Sequence, residues 1–568
     1  MTSSNPVGTP SGYQRKQRRK TALWTERSSW DSHWRDIAKY LTPRSGRFQT
    51  SDVNRGEKKH GAVIDSTGAR ALRTLAAGMM SGMTSPARPW FRLALQDRDL
   101  MESAPVKQWL FETGALMRAV FGASNTYQAL HQCYTELGAF GTWADFVQPD
   151  FDNVIHHYPM TVGEYALAAN DKGVVDTLAR EFKMTVGQMV RQFGREACST
   201  AVRNLHDRGI LDAWVDVVHM VEPRASYDRT KRDNLNMPFA SCYFEPAQAN
   251  WDRYLSESGY KRFPALCPRW EITGNDVYGG SPAMECLGDV KALQHAQTRK
   301  AQAIDLQVDP PLQVPTAYKG QAMKRMPGGV MYVDATTPNG GIRSAYEVNL
   351  RLDFLLADIQ DQRDRIRGSF YADLFMMLAS QPANGAMTAT EVAERHEEKL
   401  LMLGPVLERL HNELLSPFID ITFERLATAG VLPPPPPELE GVDLEIEFIS
   451  TLAQAQRAVA AAGSDRLLGT ISTLAGLWPE VRHKVNPMQV VDSYAEMFGV
   501  DPKMIVSDDA AQAAAAAEAQ AAQAAQQGAA MAQAVDSAKT ASEVSPDGLR
   551  DVMGMFQGYN SPTPIEAA

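Results

Sequence analysis

The sequence predicts a mainly α-helical protein that contains one α+β portion. Long helical patterns occupy residues 281–308, 347–378 and 388–429. Between about 140 and 280, apolar and polar residues alternate in short runs broken by Pro, Gly and Asn, which is typical of strands. At 568 residues the chain is too long for one ordinary hydrophobic core, so we expect several packed regions.

The composition argues against several classes of protein. Hydrophobic residues make up 44% of the chain and charged residues 22%, which is ordinary for a globular protein. The net charge of −10 gives no general attraction for nucleic acid, so any contact with DNA must be local or weak. No stretch reaches the roughly 18 apolar residues of a membrane span, and the polar N-terminus lacks the apolar core of a secretory signal. We therefore expect a protein made and used in a cytoplasm, or in a particle assembled there.

The chain also lacks the familiar motifs of cofactor binding and catalysis. Its five cysteines are scattered without a CxxC pair, which predicts reduced thiols instead of a disulfide or zinc framework. The dipeptide Gly-Lys does not occur, so there is no Walker A motif, and GxGxxG, HExxH and GxSxG are absent too. We expect no cofactor, and an enzyme remains only as the alternative of a nuclease or hydrolase with an unrecognised site.

The N-terminal region begins with a basic run and continues as a helix. We predict a disordered basic arm over residues 1–20, in which QRKQRRK either stays solvated or contacts DNA or an acidic partner. The next segment has one helical stripe that ends before Pro43. The residues of this stripe are Trp24, Trp30, Trp34, Ile37 and Leu41.

Shorter elements follow before the α+β portion. DSTGARALRTLAAGMMSGMTSP predicts a helix with Asp65 or Ser66 as its cap. PWFRLAL, at 89–95, predicts a short strand, and helical patterns return at 104–122 and 126–139.

The second half of the chain is dominated by three long helices. The first, 281–308, begins at a Ser-Pro signal and ends before Asp-Pro-Pro, and short extended pieces follow it up to about 345. The apolar stripe of the second consists of Leu352, Leu355, Ile359, Ile366, Phe370, Leu374 and Met377. The stripe of the third consists of Leu403, Leu407, Leu410, Leu414, Phe418 and Ile421. Because Gly404, Pro405 and Pro417 lie within the third pattern, we expect this helix to be kinked.

A loop of small side chains separates the second and third helices. Its residues are Ser380, Gln381, Pro382, Ala383, Asn384, Gly385, Ala386 and Met387. Gly and Asn tolerate a positive φ, so the segment predicts a flexible turn. Thr388 and Glu391 then match the capping box S/T-x-x-E, which would restart a helix sharply. An ordinary helix–helix turn is the simpler alternative.

The C-terminal part contains a stiff spacer, a strand and helices. Five prolines within 432–438 predict a polyproline spacer, and GVDLEIEFIS alternates as a strand. The tail is helical from 451. Residues 509–540 are so rich in Ala and Gln that the helix has little apolar bulk to bury and is expected to pack on copies of itself.

Three charged or polar clusters are candidates for chemistry. Asp150, Asp152, His156 and His157 lie close in sequence, but adjacent histidines on a strand point to opposite faces, which disfavours a metal site. ERHEEKL, at 394–400, is expected to be a solvated helix face and not a catalytic carboxylate pair.

RDRIRG, at 363–368, is the third charged cluster. It places Arg363 and Arg367 on one helical face beside Asp361 and Asp364. This face is either a surface of ion pairs or the lining of a pore in which DNA slides without adhering.

Residues 281–430 resemble the portal proteins of tailed phages, and specifically the head-to-tail connectors of short-tailed, T7-like podoviruses. The resemblance lies in SPAMECLGDVKALQHAQTRKAQAIDLQVDPP, in the aromatic and Arg-rich second helix, and in MTATEVAERHEEKLLMLGPVLERLHNELLSP. Upstream, WRDIAKYLTPRSGRF and DSTGARALRTLAAGMMSGMTSPARPWFRL resemble the N-terminal part of the same family. The resemblance covers about residues 20–500, and its motifs are specific as a set but individually degenerate.

The resemblance implies the phage portal fold, with wing, stem, clip and crown. In chain order, the parts are the disordered basic arm (1–20), a wing region (21–280), stem helix 1 (281–308), a clip (309–346), stem helix 2 (347–378), a tunnel loop (379–387), a kinked helix that returns to the wing (388–450), a helical crown (451–505) and an Ala/Gln-rich helix and tail (506–568) that would extend into a barrel.

The resemblance also implies a structural, non-enzymatic function. The chain would form a ring, usually a dodecamer, at one capsid vertex of the virion, after assembly in the cytoplasm of the host bacterium. It would be the conduit for genome packaging and ejection, with double-stranded DNA passing through the channel. Terminase, the major capsid and scaffolding proteins, and tail adaptor or nozzle proteins would be the partners, and no membrane is involved.

Residue roles follow from this assignment. Arg363 and Arg367 are candidates to face the channel, and Lys319, Lys324 and Arg325 are candidates for contacts made by the clip. The alternative to a portal is another structural protein of the virion, such as an adaptor, a scaffold or an internal protein.

Overall fold

The structure is a computed structural model that describes the central part of the chain most completely. The described residues are 12–49, 56–95, 97, 100–101, 103–231, 233–246, 253–308, 312–313, 343–344, 352–379, 403–439, 444–448, 467–474, 478, 487, 490–491 and 508–542. They fall into two compact units, of which the first contains residues up to 96, 112–435 and 440–466. The second contains 97–111, 436–439 and the residues from 467 onward.

Helices occur in both units. In chain order they are α1 (Gly12–Tyr40), α2 (Thr67–Met83), α3 (Ala104–Ala123), α4 (Thr126–Phe140), α5 (Val186–Phe193), α6 (Thr200–Asp207), α7 (Pro282–Val308), α8 (Leu352–Ser369), α9 (Ala372–Ala379), α10 (403–429) and α11 (Asp508–Ser542). Short 3-10 turns lie at Arg195–Ala197, Asn234–Asn236 and Pro437–Leu439, and residues 467–474 are also helical.

The strands form small antiparallel sheets. They are β1 (Phe91–Leu95), β2 (Ala144–Asp150), β3 (Val154–Met160), β4 (Tyr165–Ala169), β5 (Val175–Thr185), β6 (Trp214–Pro223), β7 (Phe239–Phe244), β8 (Ser256–Tyr260), β9 (Ala265–Leu266), β10 (Leu312–Gln313), β11 (Arg343–Ser344) and β12 (Leu444–Phe448). Strands β4 to β8 form one sheet in sequential order, β3-β2-β9 form a second, and β1 pairs with β12 and β10 with β11. The coarse expectation of a mainly helical fold with an α+β portion is therefore confirmed, and the sheets of that portion are antiparallel.

We predicted a disordered basic arm over residues 1–20. For residues 12–20 this prediction is wrong, because the chain is helical from Gly12 onward. Tyr13 is buried and its hydroxyl donates to the backbone carbonyl of Glu245 at 2.7 Å. Lys16 pairs with Glu222 at 2.5 Å, and Lys20 pairs with Glu181 at 2.9 Å. Lysines spaced by four share one helical face, so this face of α1 binds the five-stranded sheet. The basic run alone could not predict these ion pairs, because the partner carboxylates lie far away in sequence.

Close helix packing forms the core beneath the second half of the chain. Phe375 of α9 packs directly on Gly78 of α2, where a Cβ would lie 2.1 Å from the Phe375 ring. A side chain at position 78 would therefore force the two helices apart. Trp34 of α1 stacks edge-on against Tyr278, with ring centroids 5.2 Å apart, and donates from Nε1 to the carbonyl of Phe140. The first contact fixes α9 on α2, and the second fixes α1 against α4 and the segment before α7.

The helix predicted over 347–378 is broken in the structure. Helix α8 ends at Ser369, and Tyr371 has a φ of 52° before α9 begins. The apolar stripe remains continuous across the break, because Ile366 and Phe370 are buried together with Leu374. Periodicity predicted the buried face correctly, but it cannot reveal one residue in a left-handed conformation.

The third stripe is confirmed in full, since all six of its residues are buried. The strand predicted in GVDLEIEFIS is also confirmed as β12, and its partner is β1, with Leu93 opposite Ile446. This pairing joins segments that are 353 residues apart, as Leu93 and Ile446 show, so no local pattern could have predicted it.

The β2–β3 hairpin contains a strained residue that yields a prediction. Val154 has a φ of 68°, a conformation that glycine adopts freely and a β-branched residue adopts only at a cost of about 1–2 kcal/mol. We expect Val154→Gly to raise the midpoint of thermal unfolding, although the greater entropy of glycine in the unfolded chain offsets part of the gain. Val154→Ala is the matched control and should gain less. A lower midpoint for Val154→Gly would contradict strain at this position.

Candidate functional site

The two long helices α7 and α8 form an antiparallel hairpin. At its base, Asp289 of α7 pairs with Arg365 of α8 at 3.5 Å. Beyond its far end, Leu312 pairs with Ser344 and Gln313 with Arg343 in the two-stranded sheet β10–β11. Contacts at both ends show that the two helices run side by side in opposite directions, so the segment between them, 309–351, leaves and returns at one end of the hairpin.

A polar cluster, which we name the Asp65 junction, attaches the hairpin to the start of α2. It consists of Asp65, Thr67, Gln294, Gln297 and Arg363. The Asp65 carboxylate accepts hydrogen bonds from the backbone N–H and the hydroxyl of Thr67. It also accepts from Gln297 at 2.9 Å and from Arg363 at 2.7 Å and 3.1 Å. One carboxylate therefore binds α2, α7 and α8 together.

Gln294 completes the junction through backbone groups. Its side-chain oxygen accepts from the backbone N–H groups of Ile64 and Asp65 at 2.7 Å and 2.8 Å, and its amide donates to the Asp65 carbonyl at 2.9 Å. A buried polar side chain is stable only when its hydrogen bonds are satisfied, and here a glutamine satisfies three. Of the two caps predicted for α2, Asp65 bonds the helix start, while Ser66 makes no side-chain capping bond.

The ionised form of Asp65 is favoured by its partners. Partial burial acts to raise the pKa of this carboxyl group, but hydrogen bonds from Thr67 and Arg363 and the charge of Arg363 outweigh it, so the pKa is lowered. The side chain is only 6% exposed. The junction is therefore fully formed at neutral pH.

The arginines of RDRIRG all have carboxylate partners. Arg363 binds Asp65, and Arg367 binds Asp364 at 3.1 Å. Arg365 lies 3.4 Å from Asp361 as well as near Asp289. These contacts agree with a face of ion pairs, in which few positive charges are left to hold a polyanion. That Arg363 and Arg367 face a channel stays a prediction.

The outer end of the hairpin exposes apolar side chains. In the last turns of α7, Ile304, Leu306 and Val308 are exposed, the last by 78%. At the start of α8, Phe354 is 71% exposed and Leu356 45%. Large apolar side chains in such number on neighbouring helical turns are typical of surfaces that contact other molecules. The clip candidates Lys319, Lys324 and Arg325 lie outside the described residues.

The predicted loop between the second and third helices begins at a firmly packed helix. Its upstream neighbour α9 is fixed by Phe375 on Gly78. Ser380 to Met387, with the capping residues Thr388 and Glu391, lie outside the described residues, as does ERHEEKL. The downstream helix α10 is described from residue 403, so Gly404 and Pro405 lie in its first described turn and the kink predicted there stays a prediction.

Helix α10 has a π-helical turn at His411–Leu415, directly before Ser416 and Pro417. Pro417 lacks a backbone N–H, which explains why the regular hydrogen-bond pattern fails here. The turn presents Glu413 to Arg269, which binds it through Nε, Nη2 and its backbone N–H at 2.7–3.2 Å. Because Arg269 is almost fully buried, this two-pronged ion pair fixes α10 to the segment after β9.

The histidine cluster considered as a metal site is a structural one. His157 is buried, with Nδ1 2.5 Å from the Asp145 carboxylate and Nε2 3.0 Å from the Thr126 hydroxyl. Both ring nitrogens are therefore occupied. His156 instead lies against the ring of Tyr158. No group of three or more metal-ligating side chains occurs among the described residues, and no helix in the described ranges is long and apolar enough to span a bilayer.

The Asp65 junction was not predicted from the sequence beyond the cap at Asp65. One signal could have pointed to it: Gln294 and Gln297, at i and i+3, place two amides on the inner side of α7. Their partners Ile64 and Asp65, however, lie 229 to 232 residues away in sequence.

Comparison with known proteins gives one family. A family model described as "Bacteriophage head to tail connecting protein" matches residues 14–506. A protein named "Probable portal protein" from Bordetella phage BPP-1 is 56% identical over 540 residues, which cover 94% of this chain and 97% of the relative. The "Portal protein" of Salmonella phage epsilon15 is 45% identical over 491 residues, covering 86% and 88%. Among solved structures, the "Neck of empty GTA particle computed with C6 symmetry" matches 75% of this chain and 92% of that chain at 11% identity, with a TM-score of 0.35.

The Asp65 junction yields a pH-dependent prediction. Asp65→Asn should lower the free energy of unfolding at pH 7 by about 2 kcal/mol, because Arg363 loses its ionised partner. A carboxyl group whose pKa is lowered by folding stabilises the protein above its ordinary pKa, near 3.8, and ceases to do so as the pH falls through the folded value. The difference between the two proteins should therefore shrink below about pH 4.

Denaturant unfolding at pH 7 and pH 3 measures this difference. Asp361→Asn is the matched control, since its carboxylate is 66% exposed and should contribute less than about 0.5 kcal/mol. An equal loss at both pH values would show that ionisation of Asp65 is irrelevant.

Proposed function

The chain belongs to the family of bacteriophage head-to-tail connecting proteins, and from this premise we propose that it assembles into a closed ring through which the phage genome passes. The structural portal role itself follows from the two relatives, both of which are named portal proteins and are matched over most of their length. The same matches disfavour the alternatives of an adaptor, a scaffold or an internal virion protein. The family is one of structural connectors, and our proposal includes no catalytic step.

The observation that best supports a ring is the helical hairpin α7–α8. Its base is fixed by the Asp65 junction, while Phe354 and Val308 at its outer end remain exposed to solvent in the single chain. A head-to-tail interface between identical chains that closes on itself makes a cyclic assembly and would cover such faces. Copies of α11, whose described side chains are almost all exposed, would pack in the same way.

We assign the parts of the portal fold as follows. Residues 21–280 form the wing, α7 and α8 are the stem within 281–308 and 347–378, and 309–346 form the clip. The tunnel loop is 379–387, the kinked helix and its return to the wing are 388–450, the crown is 451–505, and 506–568 are a C-terminal helix and tail. The short sheet β10–β11 supports a clip that leaves and returns between the stem helices.

The proposed ring is a dodecamer in the virion, at the connection between head and tail. It would pass double-stranded DNA, bind terminase during packaging and a tail adaptor or nozzle protein afterwards, and contact major capsid and scaffolding proteins. The ion-paired arginines of α8 support a channel wall of low net charge, on which DNA would slide.

Imaging of the purified protein tests the ring. Electron microscopy should show rings of about twelve subunits with a central hole, and Phe354→Asp should reduce ring formation because a charge would be buried in the interface. Phe354→Leu keeps the surface apolar and should assemble normally. A stable monomer with intrinsic nuclease or ATPase activity would refute the proposal.

The tunnel loop has its own test. Deleting Gln381–Ala386 should leave rings intact and impair packaging or retention of DNA, because a movable rim in the channel would be lost. Replacing the same residues with Gly and Ser at equal length separates the contribution of length from that of sequence. Unchanged packaging and retention in the deletion variant would show that the segment is an ordinary helix–helix turn.

A further inference from the structure

A groove lies between the two larger sheets, far in sequence from the stem. Arg180 of β5 points into it from the five-stranded sheet. Its guanidinium carbon lies 4.7 Å from the ring centroid of Phe182, 5.3 Å from that of Phe146 and 5.6 Å from that of Tyr158. Three aromatic rings therefore hold the guanidinium in one place.

Arg180 carries a charge that no described residue neutralises. It forms no ion pair with the residues that the structure describes, and its buried Nε has no hydrogen-bond partner among them. The two glutamates that line the groove are already bound: Glu181 pairs with Lys20 at 2.9 Å, and Glu164 pairs with Arg47 at 2.5 Å. Burial, and secondarily the charge of Arg180, lower the pKa of His219 well below its usual value.

The groove has room for one inserted side chain and the atoms next to it. Its volume is about 350 Å³. Arg180, Tyr158 and Phe182 line it, and so do Gln148, Gln192 and Tyr243, which offer hydrogen-bonding groups. Glu164 and Glu181 also lie along its lining. The lining therefore contains two glutamates and, with Arg47, two arginines, of which Arg47 is paired with Glu164. This balance disfavours a polyanion such as DNA, which requires several cations close together.

We propose that this space, which we name the Arg180 groove, is a docking site for a protein partner that inserts an acidic side chain adjacent to an aromatic or aliphatic residue. A carboxylate fits a guanidinium through parallel N–H···O hydrogen bonds, and the aromatic walls pack against the apolar neighbour. Binding would neutralise a charge that is otherwise partly removed from water. This docking site depends only on the residues of the groove and not on the number of subunits in the proposed ring.

The minimal probe is 3-phenylpropionate, which joins a carboxylate to an aromatic ring. Saturation-transfer NMR on the full-length protein should detect its binding with a Kd of about 1 mM, a value usual for so small a ligand. The neutral 3-phenylpropanamide should bind about tenfold more weakly or not at all, because the guanidinium prefers an anion. Arg180→Gln should weaken binding of the acid by about tenfold. Arg180→Lys should have an affinity between those of the unaltered protein and Arg180→Gln, because it keeps the charge but loses the planar guanidinium.

Controls separate the site from general charge effects. Arg262→Gln removes an exposed arginine that pairs with Asp420 at 2.7 Å away from the groove, and it should bind the acid normally. Circular dichroism establishes that each variant is folded, and the comparison of acid with amide on the unaltered protein stays decisive if Arg180→Gln does not fold.

Three results would overturn the proposal. Equal binding of the acid and the amide would show that the carboxylate is not recognised. Undiminished binding by folded Arg180→Gln would place the contact elsewhere. Displacement of 3-phenylpropionate by inorganic phosphate at a similar concentration would show that the groove is a phosphate site and that its partner is not an acidic protein segment.

Discussion

The arrangement of the second half of the molecule depends on one partly buried carboxylate. Asp65 receives hydrogen bonds from the start of α2, from α7 and from α8, so its position determines where the base of the helical hairpin lies. Such a carboxylate is stable only with its full set of donors, since a missing donor leaves a charge in a poorly hydrated place. The set therefore acts as a unit, and each member specifies the positions of the others.

The outer end of the hairpin and the helices beside the predicted loop differ in how they are held. The outer end of the hairpin has no such polar attachment among the described residues and presents apolar side chains instead, which suits contact with another copy of the chain. On the other side, Phe375 on Gly78 and Glu413 on Arg269 fix the helices on either side of the predicted loop.

Local patterns in the sequence predicted local structure well. The stripe from Leu403 to Ile421 is buried because a period of 3.6 residues is a property of the helix itself. Tertiary choices were not predictable in this way. The basic run at the N-terminus was expected to be disordered, but Lys16 and Lys20 meet carboxylates of distant strands, and the break at Tyr371 depends on one backbone conformation.

The most direct test of the account is a double-mutant cycle on Asp65 and Arg363. Free energies of unfolding are measured by denaturant titration at pH 7 for the unaltered protein, Asp65→Asn, Arg363→Gln and the double variant. If the pair is the centre of the junction, the two substitutions should be coupled by about 1–3 kcal/mol, with the double variant losing less than the sum of the single losses. Additive losses, with a coupling below about 0.5 kcal/mol, would contradict the claim that this ion pair fixes the hairpin.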